Sequence, residues 1–219
     1  MIVGDKFQQK NQLEEDLEAK RLPEPLPLET LFHKYGIERS HADNVTRNAL
    51  ELFDILKAYH GLEEHLRSFV EIAALVHDIG VATDLENHHK AGKDILLVHP
   101  PSELSNGLQA AIPWIAFLHR KRVGEEKLTK LQGKAFGKMP ETLQDVTLKV
   151  SALVRLADAL DYSRMESKFG KIKFGKKNVM FEIKGEGAVV DAERMNKKSD
   201  LWHLLYDTKL GFRPEIKKP

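Results

Sequence analysis

Apolar residues recur at helical spacing from residue 28 to residue 166, and this periodicity constrains the fold more than any other feature of the sequence. One face of the segment 38–60 is apolar and carries His41, Val45 and Leu52. The other predicted helices span residues 62–79, 88–98, 105–119 and 141–166. Helices with apolar stripes bury them against one another, so we expect a mainly α-helical bundle.

The pattern changes after Gly170, where short strand-like runs replace the helical periodicity. KIKF at 171–174 and VMFEIK at 179–184 flank GKKN, an arrangement typical of a β-hairpin. A helix over 189–206 and a strand over 209–213 are predicted to follow. The predicted parts are an N-terminal arm over 1–27, a helical domain over 28–168 and a small C-terminal α/β subdomain over 169–219 packed on it.

The composition limits which kinds of site the chain can build. Among 219 residues there are ten histidines and no cysteine, which excludes a disulfide scaffold, a thiolate zinc site, an iron–sulfur cluster and a thiol nucleophile. The formal net charge of +1 argues against a dedicated nucleic-acid arm. No targeting segment and no membrane span is visible, so we expect a cytoplasmic protein. Any metal must be held by His, Asp and Glu.

The segment EIAALVHDIG at 71–80 places a histidine and a carboxylate together at the end of a predicted helix. Gly80 suits the position just past that end, so His77 and Asp78 fall in the last turn. A carboxylate is unfavourable there because the helix dipole presents partial negative charge, and Asp78 therefore needs a cation or a donor. A divalent metal would supply that charge, and a surface ion pair with a lysine is the alternative.

Two further residues on apolar helix faces complete a candidate ligand set. His41 shares its helical stripe with Val45 and so points toward the core, where a lone histidine is more often a packing residue than a ligand. Asp158 flanks the buried face of the segment 149–164, and a buried carboxylate must be paired or ligated. Two imidazoles and two carboxylates from three helices suit a divalent cation with open positions for water and substrate. The predicted ligands are His41, His77, Asp78 and Asp158.

The order of these residues resembles that of the HD superfamily of metal-dependent phosphohydrolases, and in particular the C-terminal HD domain of exopolyphosphatase/guanosine-pentaphosphate phosphatase (Ppx/GppA)-like proteins. The resemblance covers residues 28–213. The stretches that carry it are YGIERSHADNVTRNALELFD at 35–54, EIAALVHDIG at 71–80, NHHKAGKDIL at 87–96, IAFLHRK at 115–121 and LVRLADALDYSR at 153–164. It implies an HD-domain helical bundle with a small C-terminal α+β appendage, made of a hairpin and a helix, and hydrolysis of phosphate esters at a metal site.

Two departures from the family pattern limit what the resemblance implies. The large N-terminal phosphatase domain, with its phosphate-binding loops, has no counterpart in this sequence, so we expect any activity to come from the HD site itself. Family members also often show His-His-Lys-His-Ser where this chain has His88-His89-Lys90-Ala91-Gly92, so the last histidine of that motif is lost.

Some HD phosphohydrolases hold a second metal through two further histidines. His89 and His119 fall in the required order between Asp78 and Asp158, and His89 is preferred to His88 as the better-aligned position. In such a site Asp78 would bridge the two ions. Alternatively, His89 and His119 contact the substrate phosphate or line the cleft. The predicted cofactor is one or two divalent ions, chosen from Mn, Fe, Mg, Co and Zn.

Several charged side chains near the predicted ligands are candidates to act on the substrate. Asp158 or Asp161 could orient or deprotonate the attacking water, whereas pairing with Arg155 or Arg164 is the favoured alternative for Asp161. The cations that could neutralise charge on a phosphoryl group are Lys90, Arg120, Lys121 and Arg155. Each could equally be a solvated cation, and Arg155 could instead pair with Asp158 or Asp161.

Two stretches carry a local excess of positive charge. Residues 119–140 hold seven Lys and Arg against two Glu, and residues 168–177 hold five Lys and no acid. A polyanionic substrate, a nucleotide or RNA would explain such clusters, and solvated loops are the alternative favoured for 168–177. No aromatic residues interleave with the basic runs as a stacking platform for single-stranded nucleic acid would require.

The sequence therefore supports three hypotheses of function. The leading one is a metal-dependent phosphohydrolase, either a phosphomonoesterase or a phosphodiesterase, that acts on a nucleotide or another phosphate ester. The second is a catalytically weak metal- and nucleotide-binding regulatory module. The third is a polyanion- or RNA-binding protein that uses residues 119–140. The expected partner is a phosphorylated small molecule, preferably a nucleotide, with no membrane association, nucleic acid not favoured and a homo-oligomer left open.

Overall fold

The computed structural model describes residues 22–216, most of which are helical. The helices of the first part are α1 (Leu28–Tyr35), α2 (Arg39–Ile55), the single turn α3 (Lys57–His60), α4 (Arg67–Val76), α5 (His88–Val98), α6 (Asn106–Leu118), α7 (Glu125–Gln132) and α8 (Glu141–Leu160). Short 3-10 turns occur at Glu64–Leu66 and Ala135–Lys138. The last part comprises β1 (Lys168–Phe174), β2 (Asn178–Lys184), α9 (Ala188–Lys198), α10 (Asp200–Leu205) and β3 (Lys209–Pro214). The predicted fold, mainly α with a small C-terminal α+β part, is confirmed.

The long helix α8 is the centre of the fold, because α2, α4, α6, α9 and α10 all pack against it. Its second half is buried on every side, with Val150, Leu153, Leu156 and Leu160 completely inaccessible to solvent. A helix buried all round carries mostly apolar residues, and in LVRLADAL the exceptions are Arg155 and Asp158. Each such side chain stabilises the fold by about 1.5–3 kcal/mol relative to its exposed state.

Helix α2 supplies the clearest amphipathic face. Val45, Ala49 and Leu52 are fully buried where the helix meets α4 and α8. His41 lies on the same stripe, one turn before Val45, and is 3% exposed. The periodicity therefore places this histidine inside the protein, beside the C-terminal end of α8.

The C-terminal part is a three-stranded sheet in the order β1-β2-β3. β1 and β2 form the predicted antiparallel hairpin, and β2 pairs in parallel with β3. A parallel pair needs a crossover connection, which α9 and α10 provide. The single helix predicted over 189–206 is divided at Ser199, after which Asp200 turns its carboxylate toward Arg155 of α8. Because α9 and α10 pack on α8, they join the sheet to the helical part.

Some predicted helix boundaries are wrong. The segment 62–79 begins with a 3-10 turn, and α4 ends at Val76. The expectation that Gly80 lies just past the helix end is therefore wrong, and Gly80 does not have a positive φ. Instead, a Cβ on Gly80 would lie 2.2 Å from the carbonyl oxygen of His88, so glycine is needed for the close approach of the two backbones. The helix predicted over 141–166 ends at Leu160, and the chain then turns with Arg164 and Glu166 at positive φ.

Part of the predicted N-terminal arm, residues 1–21, lies outside the described residues. The remainder of the arm pairs with the chain that follows α5, since the amides of Glu24 and Leu26 donate to the carbonyl oxygens of Val98 and Pro100. Between residues 22 and 216, no helix has the length and apolarity to cross a lipid bilayer. The division into arm, helical domain and C-terminal subdomain stays a prediction.

Candidate metal centre

Four histidines and two carboxylates from separate parts of the chain meet beside the end of α8. Three of them lie at helix ends: His77 and Asp78 directly follow α4, and His119 directly follows α6. His88 is the first residue of α5, and Asp158 lies in the last turn of α8. The six residues that meet are His41, His77, Asp78, His88, His119 and Asp158.

The first group of ligand atoms surrounds one point. Nε2 of His41 and Nε2 of His77 each lie 3.6 Å from Oδ2 of Asp78. The same two nitrogens lie 3.6 Å and 3.9 Å from Oδ1 of Asp158. Ligands bound to one ion at about 2.1 Å are separated by roughly 3.0–3.4 Å from one another, so a small contraction of this group would fit a divalent cation. These are the four ligands that the sequence predicts.

The second group uses the other oxygen of the same aspartate. Oδ1 of Asp78 lies 3.1 Å from Nε2 of His119 and 3.4 Å from Nε2 of His88. These atoms form a further candidate ligand set in the described part of the chain. Asp78 therefore presents one oxygen to each group and could serve as a ligand in both.

The orientation of the histidines also suits metal ligation. Nδ1 of His77 and of His88 lies 2.7 Å and 2.9 Å from the carbonyl oxygens of Ala74 and Leu85, three residues earlier in each case. Nδ1 of His119 contacts the carbonyl of Ala116 in the same way. A carbonyl oxygen only accepts, so Nδ1 of His77 and of His119 carries the proton and Nε2 turns its lone pair toward the centre. Nδ1 of His88 also lies 3.1 Å from Nη1 of Arg120, which is a donor.

Two of these nitrogens are buried without a hydrogen-bond partner. Within the described residues, Nε2 of His41 and Nε2 of His77 find no group at hydrogen-bonding distance. An unsatisfied buried polar atom is costly, and most such atoms in proteins are paired or bound. A divalent cation would satisfy both at once, so the residues present fit a metal.

The charges of the carboxylates are set by the imidazoles around them. Although burial opposes ionisation, the imidazoles of His77 and His119, whose Nε2 atoms lie 3.6 Å and 3.1 Å from its oxygens, hold the pKa of Asp78 well below its usual range. Burial also opposes ionisation of Asp158, whose pKa is lowered by the imidazole of His41 at 3.6 Å and by the charge of Lys198. Both carboxylates are therefore ionised at neutral pH, which is the form that binds a cation.

Two buried imidazoles of this group, His119 and His41, have pKa values shifted in opposite directions. Burial lowers the pKa of His119 to about 4, so this ligand is neutral at physiological pH. Burial also lowers the pKa of His41, but the nearby carboxylate of Asp158 and the hydrogen bond to Asp161 outweigh it and raise this pKa to about 9. In the metal-free protein His41 is therefore protonated, and it must lose a proton to become a ligand.

Asp161 supports His41 and lies outside both ligand groups. Its Oδ2 lies 2.6 Å from Nδ1 of His41, and its Oδ1 accepts a hydrogen bond from Asn44 at 3.2 Å. The residue is 1% exposed, and Arg164 approaches it at 3.6 Å. A carboxylate behind a metal-ligating histidine fixes the ring and raises its basicity. This placement suits a positioning role and leaves Asp161 too far inside to act on water or substrate.

The structure reverses the preference between two adjacent histidines. His88 is the residue that faces Asp78, whereas His89 is buried and packs on Phe117 with ring centroids 5.6 Å apart. Successive side chains on a helix diverge by about 100°, so only one of the two can face the centre. The close contact of Gly80 with the carbonyl of His88 brings the start of α5 against the metal centre.

The candidate phosphate-binding cations have other surroundings. Lys90 is exposed and lines a separate cavity of about 690 Å³ beside Tyr35 and His99. Nη1 of Arg120 donates to the carbonyl of Glu86 at 2.6 Å and so fixes the loop before His88. Lys121 is exposed on the other side of Arg120, with φ of 61°.

Arg155 is a buried cation whose hydrogen bonds hold neighbouring segments together. It is fully inaccessible and donates to the carbonyl of Leu118 and to the carboxylate of Asp200. The alternative in which Arg155 pairs with Asp158 or Asp161 is therefore wrong. Its partner lies on α10, in a segment for which the sequence pattern gave no reason to expect an ion pair with α8.

Lys198 of α9 is a neighbour of the centre that the sequence analysis missed. Its Nζ donates to the carbonyl of His119 at 2.6 Å and lies 3.7 Å from Oδ2 of Asp158. The side chain is 5% exposed. One signal was present, since Lys198 falls at helical spacing between the apolar residues Met195 and Trp202. The C-terminal part thus contributes one buried cation to the metal centre.

The candidate metal centre lies in a region of the chain that matches a known protein family. A family model described as Ppx/GppA phosphatase, domain III, matches residues 27–203, which include all six candidate ligands and Lys198. No curated protein matches the chain. The wider resemblance to the HD superfamily stays a prediction, as does each ligand assignment. The match is to domain III of the Ppx/GppA phosphatases. Because the matched region covers most of the 219 residues, the chain belongs to the Ppx/GppA phosphatase family.

Proposed function

We propose that this protein is a metal-dependent phosphohydrolase that hydrolyses phosphate esters at the metal centre. The observation that carries the proposal is the position of Asp78, whose two oxygens face two different groups of imidazole nitrogens. A structural domain has no need of such a convergence, because burying six titratable groups together is unfavourable without a cation. Membership of a phosphatase family supports a phosphorylated substrate.

The proposed ligands divide between two ions that share one carboxylate. The first ion would be held by His41, His77, Asp78 and Asp158, and the second by Asp78, His88 and His119. Bound divalent ions would supply Lewis-acid stabilisation of phosphoryl charge and would lower the pKa of a water molecule. Of the predicted ions, Mn, Fe, Co and Zn accept this mixture of oxygen and imidazole donors, whereas Mg prefers oxygen ligands.

The side chains of this centre are not equally accessible. Those of Asp78 and Asp158 are 19% and 22% exposed, and that of His88 is 13% exposed. The side chains of His41, His77 and His119 are at most 3% exposed. Substrate would therefore approach from the side of Asp78, Asp158 and His88, where the imidazoles behind them exclude bulk water.

The remaining residues around the centre keep the ligands in place. Asp161 holds the ring of His41, and Lys198 contacts both Asp158 and the backbone of His119. Arg120 fixes the loop that precedes His88. Catalysis at a metal centre depends on ligands held to within a fraction of an ångström, so these contacts belong to the proposed function.

A nucleotide is the proposed substrate, and both a monoester and a diester would present the charged oxygen that such a centre binds. One observation favours a second function, a metal-binding regulatory module with little turnover. The matching family model describes a domain III, which is a part of a larger phosphatase rather than its whole. The rate of substrate hydrolysis distinguishes the two functions, because a regulatory module would show little turnover.

The test combines metal analysis with hydrolysis. The purified protein, loaded with Mn²⁺, Co²⁺, Mg²⁺ or Fe²⁺, is assayed on a phosphodiester, a phosphomonoester and a nucleotide panel. We expect stoichiometric metal and a turnover that Asp78→Ala abolishes, while Asp207→Ala, a change at an exposed aspartate, alters neither. Absence of metal under every loading condition would contradict the centre, and metal without Asp78-dependent turnover would favour the regulatory module.

A further inference from the structure

A cleft of about 660 Å³ lies beside the metal centre, between the chain that follows α6 and the helix α9. Seven lysine and arginine side chains line it, and Asp200 supplies the one carboxylate among its lining residues. Arg120, Lys121 and Arg122 come from the segment after α6, and Arg194, Lys197 and Lys198 come from α9. We name this feature the basic cleft.

The basic cleft contains two cations that are themselves buried. Arg155 is 0% exposed and Lys198 is 5% exposed, and both donate hydrogen bonds to backbone carbonyls. In the region 22–216, Nε of Arg155 finds no acceptor, and Asp200 is the one carboxylate within 4.0 Å of its guanidinium. Buried cations are unfavourable unless matched by negative charge. Lys198 also lies 3.7 Å from Oδ2 of Asp158, so each of the two buried cations has one carboxylate partner.

The excess of positive charge in the basic cleft comes from its more accessible cations. Lys121, Arg122 and Arg194 have no carboxylate within 4.0 Å among the described residues. The guanidinium of Arg194 instead lies 4.6 Å from the centroid of the Tyr162 ring. Just outside the basic cleft, burial together with the charges of Arg155 and Lys121 lowers the pKa of Lys127 to about 8. A concentration of like charge of this kind is relieved when an anion binds.

We propose that the basic cleft is a second anion site, which binds the phosphoryl group of a ligand without the participation of the metal ions. Guanidinium groups bind phosphate through paired N–H donors, and Arg122 and Arg194 come from opposite sides of the basic cleft with no carboxylate partner. The proposal goes beyond the phosphohydrolase function and does not depend on it, since the cleft residues lie outside both ligand groups.

Binding to the metal-free protein tests this site separately from the metal centre. The full chain is treated with a chelator, and the binding of inorganic phosphate and of pyrophosphate is measured by isothermal titration calorimetry. The test variant is Arg122→Gln/Arg194→Gln. The matched control is Lys176→Gln/Lys177→Gln, which removes the same charge from the exposed turn between β1 and β2. Circular dichroism spectra check that each variant is folded.

We expect wild-type protein, the control and Asp78→Ala to bind the anion alike, and the cleft variant to bind at least about tenfold more weakly. Binding that Asp78→Ala abolishes, that the cleft variant retains, or that the wild type lacks at millimolar anion would overturn the proposal. In the metal-loaded protein, competition between anion and substrate would identify the occupant as a second phosphate group of the substrate. A change in kcat without competition would identify a separate phosphorylated effector.

Discussion

The two ligand groups of the metal centre share Asp78 but differ in charge and in depth. The first group adds two imidazoles and the carboxylate of Asp158, so its two carboxylates balance the charge of a divalent cation. The second adds only the imidazoles of His88 and His119, and His88 is more accessible than the histidines of the first group. Affinity for a hard cation rises with the number of charged ligands. We therefore expect a tightly held first ion and a weaker, exchangeable second ion.

The largest effect should follow removal of a ligand from the first group. His77→Ala takes away a fully buried imidazole, and the space it leaves cannot offer another donor in its place. We expect a loss of first-ion affinity of about a thousandfold or more, beyond the 10–100-fold typical of residues that merely support a ligand. Equilibrium dialysis with elemental analysis measures this, with the exposed His33→Ala as control. Unchanged affinity in His77→Ala would show that the first group does not bind metal.

Removal of a ligand from the second group should affect only the weaker ion. His88→Ala is expected to lower second-ion affinity by about a hundredfold and to leave the first ion bound. The adjacent His89→Ala is a matched control, because His89 packs on Phe117 outside both groups. That variant should instead lower the free energy of unfolding by about 1–3 kcal/mol, measured by urea denaturation. If His89→Ala loses the second ion and His88→Ala keeps it, the assignment of the second group is wrong.

These adjacent histidines also show what sequence can predict. The periodicity places His41 and Asp158 on buried faces, and the order of motifs adds His77, Asp78 and His119. The choice between His88 and His89 requires the residue at which α5 begins, since one position rotates the side chain by about 100°. The helical pattern of the sequence does not record that start, where Gly80 lets the backbones at residues 80 and 88 approach closely.

The same reasoning explains the other errors. Lys198 and Asp200 sit in a charged stretch whose partners, Asp158, His119 and Arg155, lie about 40–80 residues away in sequence. Local spacing predicts that a face is buried, but it does not identify the group on the opposite element. Helix types and approximate positions were therefore accessible from sequence, whereas ion pairs between the C-terminal part and α8 were not.

Proton competition should distinguish the two ions through pH. In the metal-free protein the pKa of His41 is raised to about 9, so binding of the first ion must displace a proton below that pH. First-ion affinity should fall by up to about tenfold per unit as pH decreases from 9 to 7. His119, with a pKa lowered to about 4, imposes no such cost on the second ion over this range. Metal titrations at several pH values, with proton release measured in buffers of different ionisation enthalpy, check this difference.

The free energy of unfolding of the metal-free protein should depend on pH, because the same group, His41, ionises. Because the folded pKa of His41 lies above its ordinary value of 6.5, protonation stabilises the fold fully below that value. The contribution is then lost as pH rises toward about 9. Urea denaturation of chelator-treated protein should therefore show a stability decrease between these pH values, and His41→Gln should remove it. A pH-independent difference between the two proteins would contradict the assigned environment of His41.

The smallest effect is expected from the residue behind the first group. Asp161→Asn keeps the size of the side chain but weakens its hydrogen bond to Nδ1 of His41. We expect first-ion affinity to fall by about 10–100-fold and second-ion affinity to stay unchanged. Competition with a calibrated chelator measures both constants. Equal losses for the two ions would mean that Asp161 supports the whole centre and not the first group alone.

The most direct measurement of the central claim is the anomalous scattering of Mn²⁺ in crystals of the protein. We expect two peaks, one on each side of the Asp78 carboxylate and about 3.5–4 Å apart. The stronger peak should lie among His41, His77 and Asp158, and the weaker one between His88 and His119. A single peak, or none, at saturating Mn²⁺ would contradict a dinuclear centre bridged by Asp78.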